Sequence, residues 1–144
     1  MIATASEDKT IKLWRRDGTL IASLNDLNKV SKISFSLDEE TIVTASEDKT
    51  IKLWRRNGTL ITSYNGDIKN IGFSRNSEAF VILSSDNTVR FLRRDGKLIN
   101  TLKSDQQMSV NFSPDKEIVA ITNRVQNDAQ KTVDIWRLLK AMIK

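Results

Sequence analysis

The segment TASEDKTIKLWRR runs from Thr4 to Arg16 and returns without a change from Thr44 to Arg56, forty positions later. The likeness extends outward, because residues 2–24 and 42–64 differ at only four positions. Residues 84–96 keep the turn residues and the apolar positions of the segment, and residues 132–136 keep its end. A fixed period of about 20 to 50 residues is typical of solenoids, propellers and arrays. The chain is therefore predicted to be one structural unit repeated along its length.

Within each copy the apolar residues recur at every second position. Ile11 and Leu13 point to one side, whereas Thr10, Lys12 and Trp14 point to the other, which is the spacing of a strand. Asp-Gly or Asn-Gly pairs between such runs indicate hairpins. We predict fourteen short strands, near residues 2–6, 10–15, 20–24, 30–36, 41–46, 50–55, 60–64, 68–74, 79–84, 88–93, 98–102, 108–113, 118–122 and 131–137.

Composition limits the chemistry that the chain can perform. It has 144 residues, a net charge of +5, no Cys and no His, so thiol nucleophiles, disulfides and the commonest general base and metal ligand are missing. No apolar run approaches the roughly 18 residues of a membrane helix. We expect a cytoplasmic protein with no cofactor, no metal site and no membrane partner. Carboxylates such as Asp38, Glu39, Glu40 and Asp115 lie in predicted turns, so we expect no enzyme.

Two segments, Ser6–Trp14 and Ser46–Trp54, resemble the end of the repeat in WD-repeat β-propellers of the tandem-repeat bacterial type. Phe112-Ser113-Pro114-Asp115 is similar to the turn that precedes it. The resemblance implies an all-β partial propeller of about 3.5 four-stranded antiparallel blades. The blades would span approximately residues 1–24, 25–64, 65–102 and 103–137. The tail at 138–144 has helical spacing and is expected to form a short helical turn.

The chain departs from the family pattern in ways that affect its expected hydrogen bonds. The Gly-His pair of the family is absent, and Arg15 and Arg55 stand where Asp usually follows the Trp. A closed ring commonly has about seven blades. The sequence therefore implies either a portion of a longer propeller or a chain that associates with another copy to cover its open blade edges.

The resemblance implies a non-catalytic protein-interaction scaffold of WD-repeat type, acting within a larger propeller or assembly. The alternative is a basic surface that binds nucleic acid or another polyanion. Candidate partner-binding residues are Glu7, Glu47, Arg15, Arg16, Arg55, Arg56, Arg93 and Arg94. A simpler interpretation makes the arginines solvated ends of hairpins. Residues expected to hold turns or to pack between blades are Asp8, Asp48, Asp86, Trp14, Trp54 and Trp136.

Overall fold

The computed structural model describes residues 1–25, 28–115, 118–124 and 132–137, and every regular element within them is a strand. The all-β fold is confirmed. No helix within these ranges is long and apolar enough to cross a bilayer. The predicted helical turn at 138–144 lies outside the described residues. The strands are β1 (Ile2–Ala5), β2 (Thr10–Trp14), β3 (Leu20–Asn25), β4 (Val30–Phe35), β5 (Thr41–Ser46), β6 (Thr50–Arg55), β7 (Leu60–Asn65), β8 (Asn70–Phe73), β9 (Ala79–Leu83), β10 (Thr88–Arg93), β11 (Leu98–Lys103), β12 (Gln107–Phe112), β13 (Ile118–Arg124) and β14 (Thr132–Arg137).

The strands form four antiparallel sheets, which are numbered here in chain order. The second sheet has the order β4-β5-β6-β7 and the third the order β8-β9-β10-β11, so each is a four-stranded meander. The first sheet is β1-β2-β3 and the fourth is β12-β13-β14. The strand that follows the Asp turn is third in each four-stranded sheet, and the strand that follows the Asn-Gly or Asp-Gly turn lies at the edge. This order is the one that the WD-repeat unit implies.

The Asp-Gly and Asn-Gly hairpins form because glycine takes a backbone conformation that other residues avoid. Gly18 and Gly58 have φ angles of +86° and +90°, and their amides donate to the carbonyls of Arg15 and Arg55 at 3.0 and 2.9 Å. The register shifts by one residue beside each turn, between Leu13 and Trp14 in the first sheet. Such a bulge strengthens the local twist of the hairpin.

The chain divides into two compact units, Met1–Asp67 and Ile68–Lys144. In the first unit the first and second sheets pack face to face. Ile11, Leu13 and Leu24 of the first sheet form one buried cluster with Ile42 and Trp54 of the second. Because alternate residues of a strand face opposite sides, the cluster uses one face of each sheet. Neither sheet could bury such a face alone.

The second unit repeats this arrangement with the third and fourth sheets. Its core cluster joins the apolar faces of β9 and β10 to those of β12 and β13. The buried members are Val81, Leu83, Val89, Phe91, Met108, Val110, Val119 and Ile121. In the third sheet, Phe73 of β8 lies opposite Phe80 of β9, and the two tilted rings pack with centroids 5.4 Å apart. Each unit is thus a two-sheet sandwich with its own core.

Candidate partner-binding surface

In the first unit, two equivalent turns present exposed glutamates. Residues 6–10 contain the turn from β1 to β2, and residues 46–50 contain the turn from β5 to β6; we call these two segments the glutamate turns. Glu7 and Glu47 are exposed in these turns. Lys9 and Lys49 adopt φ angles of 68° and 64°, the left-handed region that tightens each turn. The backbone conformation of each turn therefore fixes the position of the glutamate within it.

The aspartate after each glutamate fastens its turn. Asp8 Oδ1 accepts hydrogen bonds from the backbone N–H of Thr10 at 3.0 Å and from its hydroxyl at 2.6 Å. Asp48 Oδ1 accepts the same pair from Thr50 at 3.1 and 2.7 Å. The Thr10 hydroxyl bond, with the backbone bond, lowers the pKa of Asp8 below 3.8, because both favour the charged carboxylate. The corresponding Thr50 hydroxyl bond lowers the pKa of Asp48 in the same way.

The second glutamate turn is also tied to the segment that enters its sheet. Lys29 Nζ lies 3.1 Å from Glu47 Oε1, and the backbone N–H of Glu47 donates to the carbonyl of Lys29 at 2.9 Å. The side-chain amide of Asn28 donates to Asp48. A hollow of about 140 Å³ lies beside Glu7 and reaches Lys29, so both glutamate turns lie near this lysine.

A third turn of this kind lies in the second unit. Asp86 Oδ1 accepts a hydrogen bond from the backbone N–H of Thr88 at 3.0 Å, and Asn87 has a φ of 59°. Ser85 takes the place of the glutamate. The turn therefore keeps its fastening aspartate but carries no acidic group at the position equivalent to Glu7 and Glu47.

The arginine pairs lie at the other ends of the strands, where several are joined to acidic neighbours. Arg56 Nη1 lies 3.4 Å from Glu40 Oε1, and Arg94 Nη1 lies 3.6 Å from Glu78 Oε1. Their backbone amides donate to the carbonyls of the same two glutamates at 2.9 Å. These contacts connect each Asn-Gly or Asp-Gly hairpin to the turn that precedes the second strand of its sheet.

The other arginines have different surroundings. Arg93 Nε lies 3.8 Å from Asp95 Oδ2. Arg15, Arg16 and Arg55 are exposed. Exposed ion pairs of this kind contribute at most about 1 kcal/mol. The arginines therefore differ in their acidic neighbours, although the Arg-Arg pairs occupy equivalent positions of the repeat.

The tryptophans of the two identical segments have different surroundings. Trp54 is 6% exposed and its indole N–H donates to Thr44 Oγ1 at 3.0 Å, whereas Trp14 is half-buried and donates to Thr4 Oγ1 at 2.9 Å. Trp54 packs against the first sheet, as a residue between blades should. Trp136 lies on β14, where the structure describes the backbone alone.

The carboxylates considered for catalysis take part in turns. Asp38 Oδ1 accepts from the Ser36 hydroxyl and from the backbone N–H of Glu40, and Asp115 accepts from the Ser113 hydroxyl. Glu39 Oε2 accepts from the α-amino group of Met1 at 2.8 Å, which lowers the pKa of Glu39. Across the described ranges, no three acidic side chains are grouped so that they could hold a metal ion.

Sequence reasoning missed several residues that shape this surface. Thr4 and Thr44 are hydrogen-bond acceptors of the tryptophans, and Lys29 is the partner of Glu47. The threonines could have been predicted from the sequence, because in both copies of the segment a threonine lies ten residues before the tryptophan. Lys29 could not have been predicted in this way, because it lies in a segment that has no equivalent in residues 2–24.

The WD40 family, described as WD domain, G-beta repeat, matches residues 1–15 and 17–55. These ranges hold the whole first sheet and the second sheet as far as β6, including both glutamate turns. Over these residues the chain is similar to the WD repeat. Proteins of this family generally act as interaction scaffolds without catalysis. None of the curated proteins matches the chain.

Proposed function

We propose that this protein is a non-catalytic protein-interaction scaffold that binds a protein partner through its two glutamate turns. One observation supports this most directly: two turns of identical sequence, each fastened by an aspartate, expose a glutamate on neighbouring sheets of one unit. A surface held in one conformation loses little entropy on binding. The exposed carboxylates of Glu7 and Glu47 suit a partner with basic side chains at this contact.

Site-directed photo-crosslinking tests the proposal. A photoreactive amino acid replaces Glu7, Glu47 or, as the control, Leu37, which is 50% exposed in the turn between β4 and β5. Both glutamate positions should crosslink the same protein in an extract of the source cells, and the Leu37 position should not. Unlabelled chain should compete, whereas unlabelled chain carrying E7K and E47K should not. The proposal is wrong if all three positions give the same products or if none gives any.

The scaffold is also proposed to work within a larger propeller or assembly. Among the described residues, the first and fourth sheets have three strands each and the second and third have four, which supports this proposal. Sedimentation equilibrium of the purified chain over a range of concentrations tests self-association. A mass that stays at 16.4 kDa throughout would contradict assembly through copies of this chain.

Polyanion binding is the second candidate, supported by the exposed arginines Arg15, Arg16 and Arg55. Ion pairs of Arg56 and Arg94 with glutamates reduce the charge available for it. Filter binding of single-stranded and duplex DNA at increasing salt tests it. If the arginines bind phosphates, the logarithm of affinity should fall linearly with the logarithm of salt concentration. Weak binding at low salt without that fall would exclude this candidate.

A further inference from the structure

One hairpin of the second sheet differs chemically from its counterparts. It joins β6 to β7 through Asn57-Gly58, whereas the equivalent hairpins of the first and third sheets contain Asp17-Gly18 and Asp95-Gly96. Asn57 is exposed. Because glycine has no side chain, its backbone nitrogen can approach the side-chain amide of a preceding asparagine, and such a pair is prone to chemical change. Of these three hairpins, the second is the one that carries a reactive pair.

The turn holds the Asn57 side chain in a position that favours attack by the next backbone nitrogen. The N–H of Thr59 donates to Asn57 Oδ1 at 3.0 Å. A hydrogen bond from the amide two residues ahead folds an asparagine side chain back along the chain, so its Cγ comes near the nitrogen of the residue between them. Attack of that nitrogen on Cγ would place negative charge on Oδ1, the atom to which the Thr59 N–H donates. The contact therefore both positions and activates Asn57.

From these observations we infer that Asn57 is a site of spontaneous deamidation. The nitrogen of Gly58 forms a bond to Asn57 Cγ, its proton passes to Nδ2, and Nδ2 leaves as ammonia, which produces a cyclic succinimide. Water then opens the ring. Cleavage at Cγ yields aspartate, and cleavage at the main-chain carbonyl carbon yields isoaspartate, in which the backbone runs through the side chain. Water is consumed and ammonia is released, so the step needs neither an oxidant nor a reductant.

A second Asn-Gly pair, Asn65-Gly66, has a different backbone setting. Asn65 is the last residue of β7, and the N–H of Gly66 donates to the carbonyl of Lys49 at 2.7 Å, which joins this strand end to the second glutamate turn. The N–H of Gly58 donates to the carbonyl of Arg55 within its own turn at 2.9 Å. Local opening at an exposed turn costs less free energy than separating two segments. Asn57 should therefore react before Asn65.

The first and third hairpins show that aspartate fits this position. Asp17 Oδ1 accepts from the N–H of Thr19 at 2.9 Å, and Asp95 Oδ1 accepts from the N–H of Lys97 at 3.0 Å. These bonds match the 3.0 Å bond of Asn57 Oδ1. An aspartate formed at position 57 would therefore keep the same acceptor and leave the turn intact.

Deamidation would change the charge beside the arginine pair of the second sheet. In the third hairpin, Arg93 Nε lies 3.8 Å from Asp95 Oδ2. A carboxylate at position 57 would have the same relation to Arg55, which is exposed. The modification would thus give the second hairpin the charge pattern of the other two hairpins without a change of fold.

Isoaspartate does not fit in the same way, because it adds an atom to the main chain between positions 57 and 58. The hairpin is closed there by backbone bonds. Arg55 N–H donates to the Thr59 carbonyl at 2.8 Å, and Gly58 N–H donates to the Arg55 carbonyl at 2.9 Å. The additional atom would displace these donors from their acceptors. A succinimide that opens within the hairpin should therefore yield a larger share of aspartate than one in an unfolded chain.

Incubation of the folded chain in mildly alkaline buffer tests the inference. Peptide mapping by tandem mass spectrometry reports the converted fraction at Asn57 and at Asn65 over time and separates aspartate from isoaspartate. A synthetic peptide of residues 53–62 is the unfolded reference. In the folded chain, Asn57 should convert at least about tenfold faster than Asn65. Its product should contain a larger share of aspartate than the product of the peptide.

Two substitutions provide matched controls. Asp17→Asn places an Asn-Gly pair in the first hairpin. An added Cβ at Gly18 would meet no atom within 4 Å, whereas at Gly58 it would meet Ala22 Cβ at 3.2 Å. The introduced asparagine is therefore less hindered and should convert at least as fast as Asn57. Asn57→Asp reproduces the product and should leave the urea midpoint unchanged.

The inference fails if Asn57 stays intact after the peptide has converted completely, or if Asn65 converts at an equal or higher rate. A lower urea midpoint for Asn57→Asp, or an equal share of isoaspartate in the folded chain and the peptide, would show that the hairpin does not hold the product as it holds Asp17. Slower conversion at position 17 in D17N than at Asn65 would show that the hairpin geometry is not the cause.

Discussion

The identical segments provide a matched pair of substitutions, Thr44→Val and Thr4→Val. Each replaces the hydroxyl that accepts from a tryptophan indole N–H with a methyl group of similar volume. Thr44 is 0% exposed and its bond to Trp54 is buried, so the indole N–H would remain without a partner. Leaving a buried donor unsatisfied costs about 1–3 kcal/mol. The bond from Trp14 to Thr4 is exposed, and water can replace its acceptor.

Urea unfolding followed by tryptophan fluorescence measures the difference. With a slope of about 2 kcal/mol per molar urea, a loss of about 2 kcal/mol lowers the midpoint by about 1 M for Thr44→Val. Thr4→Val should change the free energy of unfolding by no more than about 0.5 kcal/mol. In a background with Trp54→Phe, which has no indole donor, Thr44→Val should cost less than half as much.

Two results would refute this reasoning. If Thr4→Val lowers the midpoint as much as Thr44→Val, burial of the Thr44–Trp54 hydrogen bond does not determine the loss of unfolding free energy. If the cost of Thr44→Val is unchanged by Trp54→Phe, the hydrogen bond is not its source. The slope must stay constant between variants for the midpoints to be compared.

Two further predictions concern the turns of the first unit. Gly58→Ala should lower the urea midpoint more than Gly18→Ala. Both glycines have positive φ angles, at which alanine costs about 1 kcal/mol or more. Only at Gly58 would the new Cβ also meet another side chain, because Ala22 Cβ would lie 3.2 Å from it. Asp48→Asn should destabilise the protein at neutral pH, and its difference from the unaltered chain should shrink below about pH 4, because the Thr50 hydroxyl bond lowers the folded-state pKa of Asp48.

Each of these predictions has its own control. Adding Ala22→Gly to Gly58→Ala should recover the crowding cost, and an unchanged midpoint in the double variant would contradict the contact as its cause. For Asp48, a lowered folded-state pKa stabilises the fold above the unfolded value of 3.8 and ceases to do so as pH falls through the folded value. A gap between Asp48→Asn and the unaltered chain that stays constant down to about pH 2 would contradict the assignment. Glu7→Gln serves as the charge control, because it leaves the aspartate bonds intact.

Local sequence was sufficient to predict the strands and their order. Alternation at Ile11 and Leu13, together with turn residues such as Asp17-Gly18, specifies where a strand runs and where it ends, because both depend on neighbours within a few positions. The fastening role of Asp8 was equally visible, since its partner Thr10 lies two residues away. Short-range rules therefore account for the meander.

The environment of each element was not visible in its own sequence. Trp14 and Trp54 have identical neighbours for several residues on each side, yet one is half-buried and the other is nearly enclosed. The difference arises because Trp54 faces the first sheet, whereas Trp14 lies on the opposite face of that sheet. Pairing of Glu47 with Lys29 likewise depends on how β4 enters the second sheet. Such contacts depend on strand order and stacking, which a repeated segment cannot encode by itself.

Because the two identical segments differ in exposure, the number of accessible copies of the segment differs between the folded and the unfolded protein. An antibody that recognises Thr-Ala-Ser at the start of the segment would reach Thr4–Ser6, which is exposed, but not residues 44–46, which are buried. Native protein would therefore bind one antibody fragment per chain and denatured protein two. Counting bound fragments during unfolding would measure directly when the second sheet opens.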